Sequence, residues 1–299
     1  MKSSSPALNG WSCYAPGPLL QGEIDIFSLC PLTVLPCSPF EQIDAALDAG
    51  FDAVGIRLVP VLPTDIDIMA DKPLRDAVAK RLSQTDLDVL DVEVVRISSD
   101  TDVQALVPML QYAGDIGARS LTVTGVLNAD FKPGDETVTA AKLAELCEAA
   151  ARYGVRPSIE FMAFRSIGNL DEALHYRKLA NHPNLAIVLD ALHFHRSGGR
   201  AEEIAALDAA AIISCFQICD APTVAPEDIA REARFGRLLP GTGGLPLRDM
   251  LARLPVEVPL AVEVPDNTRA DASVKEKARD AFRTSSSVMM PETTRWSKR

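Results

Sequence analysis

Short runs rich in valine and isoleucine recur along this 299-residue chain, each separated from the next by an amphipathic stretch. The apolar runs are Ile24–Cys30, Ala53–Leu58, Val89–Ile97, Ser120–Thr124, Ser158–Met162, Ala186–Leu189, Ile212–Cys219 and Leu260–Val264. Their length and composition suit strands buried on both faces, the pattern of a parallel sheet. The stretches between them carry helix starts and stops. Ser38-Pro39-Phe40-Glu41 supplies a cap, a first-turn proline and an early acid ahead of a helix that ends at Ala49-Gly50. Asp102 opens Val103–Ile116, closed by Gly117, and Thr137 opens Val138–Tyr153, closed by Gly154. The phrases DAGFDAVGI, DIGARSLTV and ARYGVRPSIEF repeat one order, helix end, glycine, strand, which is the αβ connection of a parallel sheet.

Eight such repeats in about 250 residues match a closed (β/α)8 TIM barrel, an α/β fold in a single domain. An open doubly wound sheet usually carries a glycine-rich phosphate loop after its first strand. Here the proline-rich FSLCPLTVLPCSP stands in that place, so the barrel is the expected fold. The expected organisation is an N-terminal arm at 1–24, the barrel at 25–285 and a C-terminal tail at 286–299, with the eighth helix carried by Thr268–Met290.

In a barrel of this kind the site lies at the carboxyl ends of the strands. Polar residues at those ends are Arg57 on strand two; Asp91, Glu93 and Arg96 on strand three; Glu160 on strand five; Asp190 on strand six; Gln217 and Asp220 on strand seven; and Glu263 on strand eight. A carboxylate inside a run such as Val-Leu-Asp-Ala-Leu is costly unless it is paired or bound to a cation. Taken singly, Glu160 and Glu263 read equally well as strand-end acids in salt bridges, Asp190 as a helix cap and Gln217 as a partner for buried backbone. Together, Glu160, Asp190, Gln217 and Glu263 form an oxygen-rich set on four consecutive strands. Such a set suits one divalent ion, with Mn²⁺, Mg²⁺ or Co²⁺ ahead of Zn²⁺. His193 follows Asp190 by three residues and is a candidate to hold substrate hydroxyls or move protons. Arg57, Glu93, Arg96, His195 and Arg196 are candidate substrate-binding residues, although Glu93–Arg96 reads equally as a structural pair and Arg196 as a salt bridge.

Composition narrows the function classes. Forty-one acids against thirty bases leave a formal charge of −11, and no basic stripe precedes Arg295, Lys298 and Arg299, so a nucleic-acid partner is not expected. Only four histidines are present, which excludes an imidazole-rich metal site. The six cysteines show no zinc-ribbon spacing and read as reduced thiols. No apolar run approaches the roughly 18–20 residues of a membrane span, and the amino terminus lacks the apolar centre of a secretory signal. A cytoplasmic protein with a small-molecule substrate and no membrane partner is the expectation.

These residues carry a family likeness. Glu160 in IEFMAF, Asp190-Ala-Leu-His193, the strand-seven FQICDAP, the LLPGTGGLPL loop at 238–247 and Glu263 in VEVP together resemble the xylose-isomerase-like barrel superfamily of sugar phosphate isomerases and epimerases. The likeness spans roughly residues 25–266. It implies metal ligation by Glu160, Asp190, Gln217 and Glu263, and proton transfer by Glu160 and Glu263 on opposite faces of a ketose, through an enediolate that the metal stabilises. His193 would position substrate oxygens.

Gln217 departs from the histidine common at its place in the epimerases, and Cys219 from a common lysine. A glutamine ligand occurs among dehydratases such as those acting on 3-dehydroshikimate, so the implied reaction is isomerisation or epimerisation of a sugar or related polyhydroxy ketone, with dehydration or lyase chemistry, including keto-glycoside cleavage, as the alternative. DNA-repair endonucleases of the same barrel need more histidines than stand near this mouth. A non-catalytic binding or accessory barrel is the remaining reading, which an intact ligand set disfavours. Barrels of this type often pair through their loops, so a homo-oligomer using the arm at 1–24 is compatible with the sequence.

Overall fold

The computed structural model describes residues 26–289, apart from 133 and 266 and the side chain of 267. The expected arm at 1–24 lies outside the described residues, as does most of the expected tail at 286–299. Eight parallel strands close into one barrel in the order of the sequence. They are β1 (Phe27–Leu29), β2 (Ala53–Arg57), β3 (Asp88–Ile97), β4 (Ser120–Gly125), β5 (Arg156–Glu160), β6 (Ala186–Asp190), β7 (Ile213–Ile218) and β8 (Leu260–Val262). β2–β8 each lie within a residue or two of their predicted runs, and β1 falls inside the run predicted at 24–30, of which 24 and 25 lie outside the described residues. Between them run the helices α1 (Pro39–Ala49), α2 (Lys72–Leu82), α3 (Val103–Asp115), α4 (Glu136–Ala151), α5 (Leu170–Ala180), α6 (Ala191–Arg196), α7 (Ala201–Ala205), α8 (Ala209–Ile212), α9 (Ile229–Phe235), α10 (Leu247–Leu251) and α11 (Val274–Met289). No helix among the described residues is long and apolar enough to cross a membrane.

The helix boundaries follow local chemistry. Ser38 and Glu41 form a reciprocal capping box at α1, with Pro39 in the first turn, and the helix ends at Gly50 with φ 91°. Asp102 caps α3 through the backbone N–H groups of Gln104 and Ala105. The last helix takes in the beginning of the expected tail by running on to Met289. It closes the ring of helices against α1: Phe27, Phe51 and Phe282 stack with centroids 4.9–5.5 Å apart, and Arg279 and Lys275 both reach Asp48.

Side chains alternate across each strand, and that alternation sorts the core into two layers. Phe27, Leu29, Val54, Ile56, Leu121, Val123, Ile159, Ile187, Leu189, Phe216, Ile218, Leu260 and Val262 face the helices in the main core. Cys30, Ala53, Val188, Cys215 and Ala261 belong to a separate small cluster, which fills the inside of the barrel. Continuing the inward parity to the strand ends places Arg57, Glu160, Asp190, Gln217 and Glu263 on the inner face, above that plug. Burial is therefore forced on these polar side chains by strand geometry. All five described cysteines are free thiols.

Candidate active site

The inward residues at the top of β5–β8 meet. Asp190 and Gln217 are direct partners in the β6–β7 register, and Gln217 is level with Ala261 on β8, two residues before Glu263. One carboxylate oxygen from each of Glu160, Asp190 and Glu263 lies within 4.8 Å of the others, with all three residues buried. Gln217 is 2% exposed. Its amide nitrogen donates to Cys30 Sγ at 3.7 Å, and its carbonyl oxygen is buried with no hydrogen-bond partner.

Asp190 does two local jobs. Its Oδ1 accepts from the backbone N–H of His193 at 2.8 Å, capping α6, and its Oδ2 takes Arg237 Nη1 at 2.5 Å. Arg237 was not among the sequence candidates. It follows α9, just ahead of the glycine-rich loop, is 1% exposed, and also reaches Glu263 through Nη2 at 2.9 Å. Its Nε donates to Ala233 O at 3.0 Å. A sequence signal existed in an arginine set directly against the apolar Leu238-Leu239-Pro240.

The electrostatics follow from burial. Desolvation raises Glu160 well above the usual carboxylate range, and the charges of Glu263 and Asp190 push it the same way. Desolvation also raises Glu263, against the pull of Arg237, to about 7. Burial would raise Asp190 too, but Arg237 and His193 outweigh it and hold this carboxyl below its ordinary value. His193 is 3% exposed, and desolvation carries it down to about 4, so the ring is neutral. Its Nε2 lies 3.3 Å from Arg237 Nη2 and 3.9 Å from Glu160 Oε1. Since the guanidinium can only donate, Nε2 accepts and the proton sits on Nδ1.

These residues fit a divalent cation. With all three carboxyls ionised, as a bound cation would require, one guanidinium leaves an excess of two negative charges, and the orphaned Gln217 oxygen supplies a neutral donor beside them. Cys30, Glu93 and Glu263 form a second close group. It fits a cation less well, because burial keeps Cys30 a thiol and Glu93 is already paired.

The other sequence candidates separate into two sets. Arg57 and Glu93 do line the cleft above the carboxylates, and they pair with each other at 2.8 Å. Arg57 also holds Asp65 at 3.1 Å, which in turn accepts from the N–H groups of Val61 and Leu62. The Glu93–Arg96 pairing considered from sequence is replaced by Glu93–Arg57. Arg96 lines the cleft. His195 does not line it, and Arg196 is turned away to Glu232 at 2.7 Å and to the carbonyls of Pro222 and Thr223. On α6 the residue two further on, His195, points roughly opposite His193, while Arg196 is drawn off by Glu232. Asp220, although at the end of β7, is not in the acid cluster. Its oxygens accept from the backbone N–H groups of Ala221, Gly241, Gly243 and Leu245, fastening the 238–247 loop over the barrel. A Cβ on Gly243 would stand 2.4 Å from Asp220 Oδ1 and from Ala221 O, so glycine is required there.

An eight-stranded parallel barrel with clustered acids at its carboxyl-end mouth defines a barrel of the type that hosts enzyme sites. The family model for the xylose isomerase-like TIM barrel matches residues 43–285, and the chain belongs to that family. Solved structures agree in fold. The IolI protein with a bound zinc atom superposes with a TM-score of 0.76 at 19% identity, over 88% of this chain and 98% of that one. The probable 3-DHS dehydratase AsbF from Bacillus anthracis gives 0.70 at 15% identity, over 87% and 98%. D-allulose 3-epimerase from Methylomonas sp. gives 0.64 at 17%, over 88% and 97%. No curated protein matches the chain by sequence.

Proposed function

We propose that this protein is a divalent-metal-dependent isomerase or epimerase of a sugar or related polyhydroxy ketone. The observation that carries the proposal is the buried triad of Glu160, Asp190 and Glu263 around the unpartnered Gln217 oxygen, at the mouth where barrels of this family carry out their chemistry. Glu160, Asp190, Gln217 and Glu263 would hold the ion, which when bound supplies Lewis-acid polarisation of a substrate carbonyl. An all-oxygen set favours Mn²⁺, Mg²⁺ or Co²⁺ over zinc.

Glu160 and Glu263 are the acid–base pair of this reading. One takes the proton from the carbon beside the carbonyl, and the other returns it from the opposite face of the enediolate. Burial raises the proton affinity of both, which suits carboxylates that must accept and release a proton near neutrality. Neutral His193, with its ring edge against Glu160 and Arg237, holds substrate oxygens in place. The strand-seven amide, and the likeness of fold to a probable dehydratase, favour one second reading, in which the same enolate expels a β-hydroxyl as water.

Incubation in D₂O with a panel of ketoses, with Mn²⁺ supplied, separates the two. Deuterium at carbon without loss of water is the expected result, whereas a conjugated enone absorbance identifies the dehydratase. Glu160→Gln and Glu263→Gln should each lower kcat by about 10²–10⁴. Turnover close to wild type in both variants refutes the mechanism.

A further inference from the structure

Five arginines line the cleft above the carboxylates: Arg57, Arg96, Arg165, Arg234 and Arg237. Two are neutralised inside the protein, Arg57 by Glu93 and Asp65 and Arg237 by Asp190 and Glu263. The other three make no ion pair among the described residues. They arrive from separate elements: Arg96 near the end of β3, Arg165 from the segment after β5, and Arg234 from α9. Their convergence on one rim is a product of the barrel.

Arg165 is the telling member. It is only 7% exposed. Its Nη1 donates to Gly125 O at 3.0 Å, while its Nε is buried with no partner at all. Burial lowers its proton affinity, the charges of Arg96 and Arg234 lower it further, and Glu160 pulls only partly the other way, so the three guanidinium groups bear on one another. Buried arginines ordinarily meet a carboxylate, because an uncompensated buried charge is expensive. The chain has no shortage of acids, with forty-one against thirty bases. Glu160 shares the cleft and offsets part of this charge, yet no carboxylate among the described residues stands within ion-pair distance of the three, which keeps a place for negative charge brought from outside.

We propose that Arg96, Arg165 and Arg234 form a receptor for an oxyanion on the substrate, a carboxylate or a phosphate ester, so that the polyhydroxy ketone used here is an acidic one and not a neutral sugar. The inference rests on the enolising role of the acid cluster only for the word substrate. Glu160 and Glu263 line the same cleft, so a ligand anchored by its anionic end on the arginines presents its other end to them. Guanidinium groups suit either oxyanion, since their paired N–H donors match two oxygens at once.

Calorimetric titration of chelating-resin-treated protein tests this without metal and without turnover. The probes are inorganic phosphate, malonate and, as a neutral control, D-fructose, in a zwitterionic buffer of low ionic strength. At least one anion is expected to bind with a Kd of about 1 mM or tighter, and D-fructose more weakly than that anion. Preference for malonate identifies a carboxylate, and preference for phosphate a phosphate ester. Arg165→Met and the double variant Arg96→Gln/Arg234→Gln should each weaken the favoured anion by about tenfold or more. Should Arg165→Met not fold, the double variant decides, since Arg96 is exposed and Arg234 half-buried.

Absence of saturable binding by both anions, or unchanged binding in the variants that fold, overturns the receptor. Because Glu160→Gln turnover is a separate measurement, a neutral ketose isomerised by a protein that binds neither anion refutes this inference and leaves the enolising site standing. Anion binding by a protein inactive on every ketone does the reverse.

Discussion

Replacing Arg237 by methionine should destabilise the metal-free protein strongly, and a divalent ion should restore much of the loss. The guanidinium is 1% exposed and stands 2.5 Å from Asp190 and 2.9 Å from Glu263. Methionine keeps most of the unbranched stem but removes the only cation paired with either carboxylate among the described residues. Breaking a buried ion pair on one side costs about 3–5 kcal/mol, because the remaining charges are left uncompensated in a medium of low polarity. For a domain of this size each kcal/mol corresponds to about 2–4 °C in Tm, so a fall of about 6–20 °C is expected after treatment with chelating resin.

The same three carboxylates, freed of their guanidinium, should then hold Mn²⁺ more tightly than in the wild type. At an ion concentration of about 100 times Kd, binding returns about 2.7 kcal/mol, half or more of the deficit. Scanning calorimetry of both proteins with and without MnCl₂ measures each quantity. A drop under about 3 °C in the stripped variant would refute the role of Arg237 as a buried counter-ion. A large drop that Mn²⁺ leaves unchanged would refute the carboxylates as a cation site.

Gln217→Leu should leave the metal-free protein as stable as the wild type, within about 1 kcal/mol, since the amide oxygen it removes has no partner and its nitrogen has only the long bond to Cys30 Sγ at 3.7 Å, while Mn²⁺ affinity falls in a fluorescence or calorimetric titration. Asp220→Ala strips the acceptor from four backbone N–H groups of the loop and its approach, and should cost about 2–4 kcal/mol in urea unfolding. Glu41, whose carboxylate accepts from Ser38 N and Oγ, is held below the ordinary glutamate range by those bonds. A lowered folded pKa means the contribution is present above the unfolded value of about 4.3 and is lost as pH falls through the folded one. The stability difference between wild type and Glu41→Gln should therefore be full at neutral pH and shrink below about pH 4, and a difference that grows on acidification contradicts the capping box.

The strands and the caps at Ser38 and Asp102 were legible because their determinants are local, whereas Thr137, expected to open α4, lies inside it, the helix starting at Glu136 after Asp135. Runs of valine and isoleucine a few residues long, a Ser-Pro-x-Glu start and a glycine stop act within one or two turns of chain. Glu160, Asp190, Gln217 and Glu263 were legible for a related reason: a polar residue at the end of an otherwise apolar strand is visible in the sequence, and strand parity sends it inward. Arg237, Arg165 and Arg234 carry no such mark. They sit in loops or on a short helix, where no strand parity applies, and only Arg237 has a weak signal in the apolar Leu238-Leu239-Pro240 beside it. His195 and Arg196 show the converse. Proximity in sequence to Asp190 and His193 put them on the candidate roll, but the turn of α6 points His195 away from the cleft and Glu232 holds Arg196 outside it.

The sequence by itself determined the barrel, the height at which the four polar strand-end residues stand, and the shortage of imidazole that shaped the expected metal. Those follow from alternation along a strand and from composition, both properties of short stretches. Only the tertiary structure decided the charge balance of the mouth. Arg237 and Asp190 are 47 residues apart, Arg57 and Glu93 are 36 apart, and the three unpaired arginines come from three different loops or elements. Coulomb interactions depend on distance in space and on the water excluded between the charges. Until the ring of strands closes, nothing in the chain distinguishes an arginine that neutralises the acid cluster from one left to face an incoming anion.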